Sequence, residues 1–469
     1  MTNPLPTART APHPDRAAAR AGIGLCPALA PLLAVALLAL LALQTFAPRL
    51  ALAAQAAQAA QAENGWQLHL GSEPYAPPTF LAIDKNSQHL YLFHHESPLS
   101  LAATFPCTTG QELGDKQREG DLRTPEGVYF VERRLSSGLD YDLYGKEAYT
   151  LNYPNPVDRL RGKSGSGIWI HGRGHAITPR ETKGCVALNT PDLASLRGRV
   201  PLGTPVIIAR DLQWQADGAS PHAADDADAV DAKALEQRVN DWARAWERRS
   251  DDFFAFYDPG TLGKRQRATF RAFRAHKERL FDGLPWVQVM VADLQVLPGP
   301  GYWVTSFGQY YRTASLTSEG VKRLYWIKGD DGVFRIVGRE WDRGRLGLED
   351  RYKERVRREI APLIEAWRSA WQKADLDAYM APYAANAVQG DLAGARAIRD
   401  YKARVWQDNP PKSVRIDDMQ LRLDPDGVAI RFTQRYQSRS GYSDTGIKQL
   451  VLAPTDTGWR IVREDWSAR

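Results

Sequence analysis

The chain has 469 residues, which excludes one ordinary domain and leaves room for about three. Hydrophobic residues make up 43% and charged residues 25%, the proportions of a soluble globular protein. The formal net charge is +6, but residues 1–53 carry four Arg and one Asp, and without them it falls to +3. No basic stretch interleaved with aromatic residues occurs, so nucleic acid is excluded as a partner.

Arg9, Arg16 and Arg20 precede an apolar run from about Leu25 to Leu43, and Ala51-Leu52-Ala53 forms a small-x-small cleavage site. Residues 1–53 therefore read as a secretory signal peptide with a long basic lead, which places the body of the protein in the periplasm or cell envelope. The alternative is an uncleaved inner-membrane anchor, because Gly22 to Leu43 approaches the ~20 residues that span a bilayer. If the signal is cleaved, no membrane span is expected. Of three cysteines, Cys26 lies in this segment. Cys107 and Cys185 are too few for a disulfide framework, and no Cys/His spacing suits zinc. Neither a metal nor a cofactor is expected.

An Ala/Gln-rich spacer over 54–73 leads into a domain over 74–212. Thr79 to Ile83 and His89 to Phe93 flank a polar turn and predict a β-hairpin. Glu126 to Arg133, Gly167 to Ile170 and Thr204 to Ala209 read as further strands, and Cys107 as a packing residue at a strand end. Thr190-Pro191-Asp192 opens a short helix through Leu196, with Thr190 as the expected cap and Pro191 in the first turn. From 66 to 212 there are sixteen basic and sixteen acidic residues, so this domain is not a polyanion binder.

Within it, Ser166-Gly-Ile-Trp-Ile-His171-Gly172 delivers a histidine to a strand end. Fourteen residues later Thr182-Lys183-Gly184-Cys185 places a cysteine after a tight turn. Thiol, imidazole and nearby backbone N–H groups are the parts of acyl transfer through a thioester. His-Gly followed by Thr-x-Gly-Cys closely resembles the signature of YkuD-type L,D-transpeptidases. The resemblance extends upstream through Gly120-Asp-Leu-Arg-Thr-Pro-Glu-Gly-Val-Tyr129 and Leu151-Asn-Tyr-Pro-Asn155, and covers roughly Pro74 to Arg210. It implies a small, mostly β domain acting on peptidoglycan stem peptides, with Cys185 as nucleophile, His171 as proton donor and acceptor, and the backbone of Gly184 as an oxyanion donor. Gly172, Arg173, Thr182 and Lys183 are candidate substrate contacts, and Lys183 is a candidate for lowering the thiol pKa. Asp158 and Arg159 also flank the motif and are expected at the surface. The commonest family form has His in place of Lys183 and Arg or Asn in place of Ala187. Thr-Lys-Gly-Cys is similar to a subgroup that includes L,D-carboxypeptidases, which leaves the acceptor, amine or water, open.

Residues 213–233 carry five Asp against one Lys among Ala, Gly and Ser, and read as an acidic flexible linker. The remainder repeats with an offset of about 125. Trp242 and Trp246 return as Trp367 and Trp371, Phe254 as Tyr379, and Asp293-Leu-Gln295 as Asp418-Met-Gln420. Phe307-x-Gln309-x-Tyr311 returns as Phe432-x-Gln434-x-Tyr436. Two complete domains, 234–345 and 356–469, follow from so long a period. Helices first and alternating strands after predict an α+β unit. The pattern Trp-x-x-x-Trp-x-x-x-Asp-x-Asp-x-Tyr, clearest from Trp367 to Tyr379, resembles NTF2-like domains, curved sheets wrapped round a helix to leave a cone. The fold class is therefore a mostly-β catalytic domain with two α+β repeats. The aromatic residues read as core more readily than as a ligand pocket.

The reading that follows is an exported L,D-transpeptidase, with an L,D-carboxypeptidase as alternative. The non-enzymatic alternative is an inactive envelope-binding protein acting through its repeats, against which the retention of His171 and Cys185 argues. From 234 to 345 there are nineteen basic and fourteen acidic residues, so the tail is expected to hold an envelope protein or a wall polymer. A chain ending near Asp211 is expected to fold alone.

Overall fold

The computed structural model describes residues 65–70, 75–95, 99–214, 223–261 and 269–468. The expected signal and most of the spacer lie outside them. Among the described residues, no helix is long and apolar enough to cross a membrane.

Eight strands close into a barrel, in the spatial order Thr79–Asp84, His89–His95, Leu99–Thr108, Val186–Leu188, Trp169–His171, Ala148–Leu151, Gly127–Leu135 and Pro205–Ala209. The first hairpin turns where Asp84 Oδ1 accepts the N–H groups of Asn86 and Ser87, at 2.8 and 2.9 Å. Side chains alternate across a strand, and Leu81, Ile83, Leu90, Leu92, Tyr129, Val131, Ile170, Val186, Val206 and Ile208 pack together in the interior. Cys107 is buried among them, near the end of its strand, with its sulfhydryl free. The short helix after the cysteine spans Thr190–Ser195, but its cap is Asn189. Thr190 instead donates its hydroxyl to the Arg173 carbonyl at 2.7 Å, while Pro191 does sit in the first turn.

The outward residues of several barrel strands are apolar as well. Phe80, Ala82, Val128, Phe130 and Ile207 are buried against Leu297, Tyr302, Val304, Tyr325 and Val337 of the first repeat. The Tyr302 hydroxyl accepts the Val128 N–H at 2.9 Å and the Asn155 side-chain amide at 3.1 Å. The Tyr325 hydroxyl donates to Glu340 at 3.0 Å, which also accepts from Asn152 at 3.2 Å. Barrel and first repeat therefore keep separate interiors and share a third, buried apolar seam.

The linker reading changes too. Asp211–Trp214 is a strand paired in parallel with Gln67–Leu70, and a helix runs from Ala223 to Arg248. Residues 223–233 are helical, as their alanine content favours, Ala being the strongest helix former. Ala232 is buried there and Asp231 bonds Lys328 at 2.6 Å.

Each repeat has a long helix, a shorter helix and a four-stranded antiparallel run: Ala223–Arg248, Phe270–Gly283 and Gln288–Arg343 in the first, Leu348–Lys373, Ala395–Asp408 and Pro411–Ala468 in the second, where Tyr383–Gln389 and Leu392–Ala393 extend the sheet to six strands. The repeated tryptophans pack at 5.2 Å in one copy and 5.3 Å in the other. Trp242 Nε1 donates to the Tyr257 hydroxyl at 3.1 Å, and Trp367 Nε1 to the Tyr383 hydroxyl at 3.3 Å. Asp293 and Asp418 both adopt positive φ, 53° and 56°, where the first strand of each sheet bulges.

Candidate active site

Strands Trp169–His171 and Val186–Leu188 run side by side in parallel, with Ile170 opposite Val186 and His171 opposite Ala187. Ile170 and Val186 face the barrel interior. The period of two therefore turns Trp169 and His171 to the outer face, together with Cys185 at the entrance to the second strand. Histidine and cysteine, fourteen residues apart, thus sit diagonally on one face of neighbouring strands.

The loop that returns the chain to Cys185 is held from within. Buried Thr182 donates its hydroxyl to the Cys185 carbonyl at 2.7 Å and accepts the Gly184 N–H at 3.1 Å. Its backbone pairs with Thr109 and Gln111, both at 3.0 Å. Gly184 has φ +130°, and a Cβ there would lie 2.8 Å from the Arg123 carbonyl oxygen, so only glycine fits without strain. The Gly184 N–H, expected as an oxyanion donor, is engaged by Thr182 in this structure.

His171 is 2% exposed. Its Nδ1 lies 2.6 Å from the Gly172 carbonyl, which accepts only, so the proton belongs on Nδ1 and Nε2 carries the lone pair. The Tyr144 ring meets the imidazole edge-on at 5.1 Å and also packs on Trp169. Burial, aided by the Arg173 charge, pushes the imidazole down to about 4 against the opposing Gly172 bond, so it is neutral at neutral pH. Burial also pushes the half-buried Cys185 thiol up, while the Trp169 N–H, Arg173 and Lys116 favour the thiolate. The thiol points to the Gly167 carbonyl at 3.4 Å. At neutral pH, therefore, Cys185 rests as a thiol and His171 as a neutral imidazole.

Arg173 is tied to Glu181 at 3.1 Å, and Lys116 to Asp121 at 2.7 Å. Lys183 is exposed and is not among the cations acting on the thiol. Gly172 fits against Thr190, whose Oγ1 would lie 2.9 Å from an added Cβ. Asp158, expected at the surface, is buried: it closes a capping box with Asn155 and pairs with Lys163 at 2.9 Å. Arg159 is exposed. Sequence reasoning missed Lys116, Tyr144, Glu181 and the Trp169 N–H. All but Trp169 come from outside the two motifs or between them, where no spacing rule marks them.

The YkuD L,D-transpeptidase catalytic domain matches residues 78–208, and the Cds6 C-terminal NTF2-like domain matches twice, at 234–340 and 359–465. The YafK proteins of Escherichia coli K12 and O157:H7, whose name places them with the L,D-transpeptidases, are 34% identical over 97 residues. That stretch is 20% of this chain and spans 38% of those relatives' length. Among solved structures, Bd1075 of Bdellovibrio bacteriovorus is similar at 24% identity, with a TM-score of 0.47 over 59% of this chain and 97% of that one. The helical cell shape determining protein Pgp2 of Campylobacter jejuni is also similar at 24% identity, with a TM-score of 0.46 over 58% and 94%.

Proposed function

Because the chain joins a YkuD L,D-transpeptidase catalytic domain to two Cds6 C-terminal NTF2-like domains, we propose that it is an exported cysteine acyltransferase acting on peptidoglycan stem peptides. The observation that carries the reading is His171 and Cys185 on one outer face, with Nδ1 committed to Gly172 and Nε2 left as base.

His171 Nε2 takes the Cys185 proton as Sγ bonds the carbonyl carbon of the diamino acid at the third stem position. The Trp169 N–H steadies the sulfur while it carries charge. The oxyanion is held by backbone N–H groups at Gly184 and Cys185, the former after exchange with Thr182. Collapse breaks the C–N bond to the terminal D-residue, whose amine leaves with the proton from His171. An amine then attacks the thioester to give a cross-link. Water in its place gives a trimmed peptide, and the outcome depends on which acceptor reaches the acyl group first. Arg173, whose charge reaches both His171 and Cys185, is the contact for a charged end of the peptide. The signal-like residues 1–53 carry the proposal of export, and the repeats that of holding wall polymer or an envelope protein.

The test is covalent labelling with a carbapenem-type acylating agent, read by intact mass. One adduct on the wild-type chain, absent from Cys185→Ala, is expected. A wild-type chain that cleaves stem peptides while an unlabelled, folded Cys185→Ala chain does so equally would end the thioester reading.

A further inference from the structure

The two repeats share a fold and differ in charge where the second carries Glu464 and the first Arg339. In the second, Lys402 and Lys448 lie 5.1 and 4.3 Å from the Trp371 ring. Lys448 is bonded to buried Glu464, whose carboxyl also accepts from the Tyr383 hydroxyl. Burial alone would raise that carboxyl, but Lys448 and Lys402 hold it down at about 2. The cluster carries its own counter-ion.

The equivalent positions in the first repeat are Lys277, Lys322 and, where Glu464 stands, Arg339. Lys277 Nζ lies 4.3 Å over the Trp246 ring, and the Arg339 guanidinium 4.4 Å over Phe273. Lys322 is opposite Phe307 and Trp341 in the sheet, and Arg339 is opposite Leu324. Phe307 and Leu324 belong to the core on the concave side, so the register turns both cations into the cone. Among the described residues none of the three has a carboxylate within ion-pair distance, whereas other cations of this repeat, such as Arg274 and Arg335, do. Arg339 and Trp341 remain exposed, so the cone is open to solvent.

We propose that the concave pocket of the first repeat binds a small ligand bearing two negative charges, a phosphate ester or a dicarboxylate, with its body against the flanking aromatic rings. Three cations around aromatic faces lack the one anion that the sister domain supplies internally, and a dianion from solution fits that vacancy in charge. Burial and the Arg339 charge push the Lys277 ammonium down to about 8, and burial with both neighbours pushes Lys322 to about 7. A bound dianion would restore both to full charge.

The full chain is titrated with phenyl phosphate and, separately, with succinate at constant ionic strength, by calorimetry and tryptophan fluorescence. Saturable one-to-one binding of at least one of them is expected, and the stronger arm identifies the anion class. Arg339→Glu, which rebuilds the internal ion pair of the second repeat, and Lys322→Met should each weaken it by at least about tenfold. Arg339→Gln provides the same reading should the glutamate variant misfold. No saturable binding of either dianion overturns the proposal. Binding unchanged in folded Arg339→Glu or Arg339→Gln chains also overturns it, by placing the anion elsewhere.

Discussion

Burial sets the protonation of His171 and Cys185, and it does so in opposite senses. It holds His171 neutral down to about pH 4 and keeps Cys185 a thiol. An imidazole with its ordinary pKa would lose base function as pH falls through about 6.5. Here the neutral form persists below that, so the acid limb of kcat/KM should fall below pH 5, and a limb centred near 6.5 would show that His171 is not the base. His171→Ala should lose most activity and recover part of it at high pH, where the thiol ionises unaided. Thr182→Val removes the acceptor of the Gly184 N–H and the donor to the Cys185 carbonyl. With about 1–3 kcal/mol for each unpaired buried group, kcat should drop by roughly tenfold or more while Cys185 stays present for labelling. The cysteine and histidine were legible because glycine, threonine and a strand-forming run flank them. Their electrostatic surroundings were not, since Lys116 comes from a distant loop, while Lys183, two residues before the cysteine, is exposed and not among the cations acting on it.

At the scale of elements, apolar runs around a polar turn identified the hairpin, strand-forming residues the strand leading to His171, and alternation the strands of the repeats. It failed on the three-residue strand Val186–Leu188 and on Ala148–Leu151, which are too short and too evenly apolar to show a period. The acidic stretch misled differently. Its Ala and Asp content suits both a solvated tether and the first turns of a helix, and packing of Ala232 and Leu235 decides for the helix. The strand Gly127–Leu135 is buried on both faces at its start, a pattern that composition alone assigns to no particular neighbour. Its neighbour is the first repeat, and Tyr302 is the polar pin between them. Tyr302→Phe leaves the Val128 N–H and the Asn155 amide without that acceptor in a buried seam. A loss of about 1–3 kcal/mol is expected, read as a lower denaturation midpoint of the full chain, with the ring packing unchanged. An unaltered midpoint would mean that the two bonds contribute nothing to the seam.

For the whole molecule, the buried seam argues against the expectation that the barrel is independent of its tail. A chain ending near Asp211 would uncover Phe80, Val128, Phe130 and Ile207, all now nearly inaccessible, and would lose the hydroxyl of Tyr302. Side chains of this kind contribute about 1.5–3 kcal/mol each when fully buried, and the losses together rival the 5–15 kcal/mol that stabilises a typical domain. Such a truncated chain should aggregate or unfold at temperatures where the full chain is folded. A chain ending near Arg345 keeps the seam and should fold, though less stably, because Met290, Ala292 and Tyr310 of the first repeat pack against the helix Leu348–Lys373. The pair of truncations separates support from targeting. If the shorter chain is folded and turns over soluble stem peptide at the full rate, the first repeat serves only recruitment. If it unfolds while the longer one works on soluble peptide and sediments less with wall, the first repeat supports the barrel and the second contributes to wall binding. The second outcome is the one the packing predicts, and a salt series should weaken whatever wall association depends on the basic first repeat.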